Sequence, residues 1–137
     1  MRGELSAVVT DTHPLVWYAT GQTRKLSATA RRVFSQVEAG SCALHVPAPV
    51  LLELWFLSQN GTIQATPSFR RWWASVQTPS IVEVPLEHDD ILAASALTTG
   101  HRDVFDRLLV VVSNRLDLPL LTADETIRGM NACDVVW

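Results

Sequence analysis

The chain has 137 residues, 47% of them hydrophobic and 18% charged. That is enough apolar material for one domain with its own core, and it excludes a disordered chain. The formal net charge of −3 excludes a globally basic nucleic-acid surface, so any RNA or DNA contact must rely on a local patch and a metal.

Residues 1–137 read as a single domain, without repeats or low-complexity segments. Cys42 and Cys133 have neither metal-ligand nor disulfide-framework spacing and read as reduced, buried thiols of a cytoplasmic protein. No apolar run is long enough to span a bilayer, and the N-terminus lacks a signal-type apolar stretch. Leu5–Val9 is an apolar, uncharged run that suits a strand covered on both faces, and it stops at Thr10-Asp11. Pro14–Ala19 reads as a short helix, with Thr12 or His13 near its cap and Gly21 as its end. Ser27 caps a second helix, Ala28–Ala39, which Gly40 stops. Cys42–Val46 is the second strand. Pro47-Ala48-Pro49 opens a helix over Val50–Ser58, and Thr66-Pro67-Ser68 opens another over Phe69–Val76. Ile81–Val84 is the third strand. Helices follow over Glu87–Leu97 and Asp103–Arg115, with Asp103 as the cap of the latter. Pro119–Thr122 is the fourth strand, Asp124–Met130 a short helix, and Asp134–Trp137 a last short strand. Strands alternating with helices imply a parallel sheet with helices on both faces.

Four carboxylates recur at one kind of place. Asp11 follows the first strand, Asp124 follows the fourth, and Asp106 lies in the first turn of its helix. Glu53 interrupts an otherwise apolar helix, between Leu52 and Leu54. In α/β sheets ligands bind beyond the carboxyl ends of the strands, where the following helices begin. Neighbouring strands are only ~4.8 Å apart, so acids at adjacent strand ends can converge. Crowded carboxylates raise one another's pKa unless a cation neutralises them, and an all-oxygen cluster suits Mg²⁺ or Mn²⁺. Each acid also has a plainer reading. Asp11 and Asp124 suit helix caps, and Asp106 suits the fourth position of a capping box opened by Asp103. Glu53 on a solvent-facing turn would need no partner. A charge buried among leucines would need one.

The segments Val9-Thr10-Asp11-Thr12-His13, Glu53 after its proline-containing turn, His101-Arg102-Asp103-Val104-Phe105-Asp106-Arg107-Leu108-Leu109, and Leu121-Thr122-Ala123-Asp124 together resemble a PIN domain. More narrowly, they resemble the VapC-type toxins of prokaryotic toxin–antitoxin pairs. The resemblance spans nearly the whole chain, and the His-Arg-Asp-x-Phe-Asp-Arg-Leu-Leu segment is its most specific part. It implies a three-layer α/β/α fold with a five-stranded parallel sheet and a Mg²⁺- or Mn²⁺-dependent endoribonuclease, a hydrolase of RNA phosphodiesters. Asp11, Glu53, Asp106 and Asp124 fall on the family's acidic metal-site and catalytic positions, Thr122 on a hydroxyl position beside the last acid, and Asp103 three residues early. The implied partners are an RNA substrate, a cognate antitoxin and a second copy of the chain as a homodimer. Val104 stands where the family often has proline. Val110-Val111-Val112-Ser113 and Val46-Pro47-Ala48-Pro49 also depart from its commoner patterns.

Arg102 and Arg107 flank the acids and, with Thr122, are candidates for substrate contact; helix-surface ion pairs are the plainer reading of the two arginines. Arg70-Arg71-Trp72-Trp73 mixes guanidinium and aromatic groups that suit base stacking, but a tryptophan pair at this spacing more often serves a core or an interface. Exposure of Trp17 or Trp55 would fit a partner surface. The histidines, His13, His45, His88 and His101, lack zinc spacing. Other readings compete with the toxin. One is a PIN nuclease of RNA processing, and another a PIN-like binding module that does not cut. A receiver-type signalling domain would need a late lysine, and the only lysine is Lys25.

Overall fold

The computed structural model describes residues 5–98 and 103–137. Val8, Val9 and Thr10 are consecutive and all buried, so the first strand, β1 (Ala7–Thr10), is covered on both of its faces. It pairs in parallel with β2 (Ala43–Pro47) on one side and with β4 (Leu120–Leu121) on the other. β3 (Ile81–Val84) extends the sheet beyond β2, and β5 (Val135–Val136) extends it beyond β4. The result is a five-stranded, all-parallel sheet in the order β3-β2-β1-β4-β5. Chain order reverses direction at β1, which places a topological switch point, and hence a crevice, beyond the ends of β1 and β4.

Helices connect the strands. α1 (Thr12–Ala19) and α2 (Ala28–Ala39), separated by a 3-10 turn at Thr23–Lys25, lie between β1 and β2. Asp11, rather than Thr12 or His13, is the cap of α1. The Ser27 hydroxyl caps α2 by accepting from the Ala30 amide, and Gly40 ends it at φ +80°, a conformation that glycine adopts without a Cβ clash. α3 (Ala48–Gln59) and α4 (Phe69–Val76) precede β3, α5 (His88–Ser95) and α6 (Val104–Leu116) precede β4, and α7 (Glu125–Gly129) leads into β5. Leu15, Phe34, Leu44, Leu54, Leu109 and Leu120 are fully buried and draw α1, α2, α3 and α6 onto the sheet. β4 and β5 keep only two ladder residues each, fewer than the runs Pro119–Thr122 and Asp134–Trp137 suggest.

α5 and α6 are joined by a smaller apolar cluster of Ala94, Leu108 and Val111 and by an ion pair between buried Asp90 and the more exposed Arg115. Asp90 is 1% exposed. Arg115 grips it with two bonds, Nε to Oδ1 at 2.8 Å and Nη2 to Oδ2 at 3.0 Å. The Glu87 amide donates to Oδ2 at 3.0 Å and closes a capping box at the start of α5. Burial alone would push the Asp90 carboxyl up, but the Arg115 hydrogen bonds, the Glu87 amide and the Arg115 charge outweigh it and hold Asp90 below its ordinary 3.8. The pair therefore stabilises the fold above the unfolded value and is lost as pH falls through the lower folded value. Arg115→Met leaves the carboxylate without its partner and is expected to cost about 2–3 kcal/mol near neutral pH. In urea unfolding that penalty should shrink as the pH falls below 3.8 and through the lower folded value.

Candidate functional site

Asp11 stands where β1 ends and α1 begins, with its amide bonded to the Leu121 carbonyl of β4 at 3.0 Å. Its side chain is 7% exposed. Oδ1 accepts from the Thr12 amide at 2.7 Å, and Oδ2 accepts from the Thr122 hydroxyl at 2.7 Å. The Thr122 oxygen accepts in turn from the Asp124 amide at 3.0 Å. One buried hydroxyl therefore joins the acid after β1 to the segment carrying the acid after β4. Asp124 caps α7 through Oδ1, which takes the Ile127 amide at 3.0 Å, while the rest of the residue is exposed.

Glu53 comes from α3 and is half-buried. Its Oε1 accepts from the Thr12 hydroxyl at 3.0 Å. Thr12, itself fully buried, thus gives its amide to one candidate acid and its hydroxyl to another. Its sequence reading was a place near a helix cap; what it lacked was any local signal of a contact 41 positions away. Asp106 is half-buried in the first turn of α6, and its amide donates to Oδ1 of the cap Asp103 at 3.1 Å.

The charges communicate. Burial pushes the Asp11 carboxyl above its ordinary 3.8; the charge of Asp124 adds to the rise, while the Thr122 and Thr12 bonds and His13 oppose it. Burial also pushes Glu53 above its ordinary 4.5, and the charges of Asp11, Asp106 and Asp103 add to it, against the Thr12 bond. Asp11 therefore feels Asp124, and Glu53 feels Asp11, Asp106 and Asp103. Among the described residues, however, no three carboxylate, imidazole or thiol side chains stand together at metal-holding spacing. The links are pairwise, through Thr12 and Thr122. The donor set is oxygen throughout, which suits a hard divalent cation, and the raised carboxyls are those a cation would relieve.

Arg107 turns to α5. Its Nε and Nη2 donate to the Ala94 carbonyl at 3.0 and 2.7 Å, and Nη2 also donates to Leu97 at 3.0 Å. Arg102 and His101 lie outside the described residues. Trp73 is buried, with its indole donating to Glu83 at 3.2 Å, and Trp72 is half-buried against the core, so this pair serves packing. Arg70 and Arg71 are exposed. Trp55 is 44% exposed, beside Leu52 and Phe56 on the outer side of α3. Trp17 is half-buried between His13 and Trp137. No helix among the described residues is long and apolar enough to cross a membrane.

A family model for the PIN domain matches residues 8–131. No curated protein matches the chain by sequence. Among solved structures, the chain is similar to VapBC2 from Rickettsia felis, solved bound to a DNA fragment from the promoter, at a TM-score of 0.66 and 10% identity over 95% of this chain and 97% of that one. It is similar to VapC20 of Mycobacterium tuberculosis, a toxin that cleaves the sarcin–ricin loop, at 0.63 and 16% identity over 90% and 95%. It is also similar to a toxin–antitoxin complex from Klebsiella pneumoniae, at 0.65 and 14% identity over 95% and 96%.

The burial of Asp11 fixes the sign of a pH effect. A folded value above the unfolded 3.8 means that the carboxyl favours folding when protonated, and that this contribution drains away as pH rises through the folded value. Asp11→Asn removes the ionisation. In thermal melts with EDTA, the variant should gain on the wild type as the pH rises above 3.8 and through the raised folded value. A gap between the two that does not move with pH would mean that Asp11 is not desolvated.

Proposed function

Because the chain belongs to the PIN domain family, we propose that it is a Mg²⁺- or Mn²⁺-dependent endoribonuclease, and that it is the toxin of a VapBC-like toxin–antitoxin pair. The observation that carries this reading is the buried Asp11 carboxylate, clasped by Thr12 and Thr122 at the crevice between β1 and β4. Glu53 and Asp124 stand within electrostatic reach of it. The names of the structural neighbours support the biological setting, since one is a toxin that cleaves the sarcin–ricin loop and another is a toxin–antitoxin complex.

Asp11, Glu53, Asp106 and Asp124 are the residues that would hold the cation. A divalent ion bound there supplies charge to a phosphoryl oxygen and lowers the pKa of water at the site. The protein's own part is positioning. Thr122 fixes both the rotamer of Asp11 and the path of the chain into Asp124. Thr12 holds Glu53 towards Asp11, and its place at the start of α1 sets that direction. The cap bonds of Asp11 and Asp124 each point a carboxylate along a helix start, so little reorientation is left when a cation or a phosphate arrives.

An antitoxin is the proposed protein partner, and the outer stripe of α3, Leu52, Trp55 and Phe56, is the apolar surface available to it. A second copy of the chain is the other proposed partner.

Purified protein should cleave single-stranded RNA with Mn²⁺ or Mg²⁺ and stop in EDTA. Asp11→Asn should lower the rate by about 100-fold or more. Equal cleavage in EDTA would overturn the proposal. Thr122→Val keeps the shape and removes the hydroxyl; Mn²⁺ should then bind about 10–100-fold more weakly, read as a smaller Mn²⁺-induced rise in melting temperature, with Thr122→Ser restoring most of it.

A further inference from the structure

Away from the acids, a cleft of about 760 Å³ lies between α2 and the β5 segment, with Leu5 at the start of β1 also in its lining. One wall is a single stripe of α2, residues Thr29, Arg32, Val33 and Gln36, which share a face by helical spacing. The other wall is Asp134, Val135 and Trp137, with Arg128 of α7 beside them.

β5 is an edge of the sheet. The Asp134 and Val136 carbonyls accept from the Leu120 and Thr122 amides of the β4 segment, at 2.8 and 3.2 Å. Successive residues of a strand turn their backbone groups to opposite sides, so the N–H and C=O of Val135, a residue that lines the cleft, face away from β4. They take no backbone partner there among the described residues. A strand edge open in this way is a template for another extended chain.

The charges select which chain. Arg32 and Arg128 are exposed and have no ion-pair partner among the described residues, while Asp134 is the only acid in the lining. Two arginines against one aspartate make the lining side chains more cationic than the protein as a whole, whose net charge is −3. We propose that it is a strand-docking site, in which an extended acidic segment of a protein partner adds to β5 at Val135 and sets carboxylates against Arg32 and Arg128. Alternate residues of such a segment project to one side, which suits acids on one face and apolar residues on the other. A phosphate backbone would meet the arginines but leave the Val135 edge unused, so the peptide uses more of what the cleft offers.

The test titrates the full chain with a short peptide of alternating glutamate and valine, a matched lysine–valine peptide and a single-stranded RNA, all in EDTA. Amide NMR shifts and hydrogen exchange at Val135 are the readouts. The glutamate peptide should shift the Val135 amide and slow its exchange, and the lysine peptide should not. Arg32→Glu combined with Arg128→Glu should weaken the glutamate peptide by about tenfold or more and favour the lysine peptide. Val135→Pro, tolerable on an edge strand, should abolish peptide binding with both arginines intact. The proposal is overturned if both peptides bind alike, if neither binds, if Val135 exchange is unchanged, or if RNA alone takes the arginines.

Discussion

The hydrogen bond from the Thr122 hydroxyl to the Asp11 carboxylate is the point on which the architecture of the site turns. It closes a contact between residues 111 positions apart, and it does so where β1 and β4 end side by side. The backbone makes the approach possible, because the Asp11 amide already bonds to Leu121 across the ladder. The side-chain bond then does something the ladder cannot. It holds a desolvated carboxylate in one orientation and, through the same oxygen, steers the chain into Asp124. A buried carboxylate with fewer donors would favour its neutral form more strongly still. The two threonines keep Asp11 partly compensated.

The second constraint is α3. Most helices at a protein surface are apolar on one stripe, but α3 is apolar nearly all round. Val50 and Leu54 face the core, while Leu52, Trp55 and Phe56 stay exposed on the other side. Glu53 sits on the boundary between these faces, half-buried, with the Thr12 hydroxyl as its partner. The same apolar flanks that make Glu53 conspicuous in the sequence also raise its carboxyl above the ordinary range. Neither the core nor the outer stripe requires an acid at this position.

Much of this was legible from local pattern. The consecutive apolar residues of β1 predicted coverage on both faces, and the alternation of strands and helices predicted the parallel sheet. The caps Ser27, Asp103 and Asp124 are where side-chain chemistry placed them. The misses have tertiary causes. α5 ends at Ser95 rather than Leu97, where the Arg107 guanidinium takes the Ala94 and Leu97 carbonyls. No feature of the segment itself announces that competitor. Locally Thr12 offers only a place near a cap, since its second role depends on α3 lying beside α1. The Asp90–Arg115 pair joins two helices through residues 25 apart, and sequence spacing gives no cue to it.

For Asp11, Asp103 and Asp124 the cap reading and the site reading stand as alternatives in sequence, and the geometry removes the need to choose. A carboxylate has about four acceptor positions. Asp124 and Asp103 each use Oδ1 for a helix amide, which leaves acceptor capacity on the same group. Asp11 spends Oδ1 on Thr12 and Oδ2 on Thr122, yet a single bond to each oxygen fills only about half of its lone pairs. Capping therefore acts as an aiming device. A helix that starts at the end of a strand needs an acceptor at its first turn, and in a parallel sheet those first turns share one edge. Satisfying each helix locally carries the acids towards a common crevice, and their mutual repulsion follows from that placement.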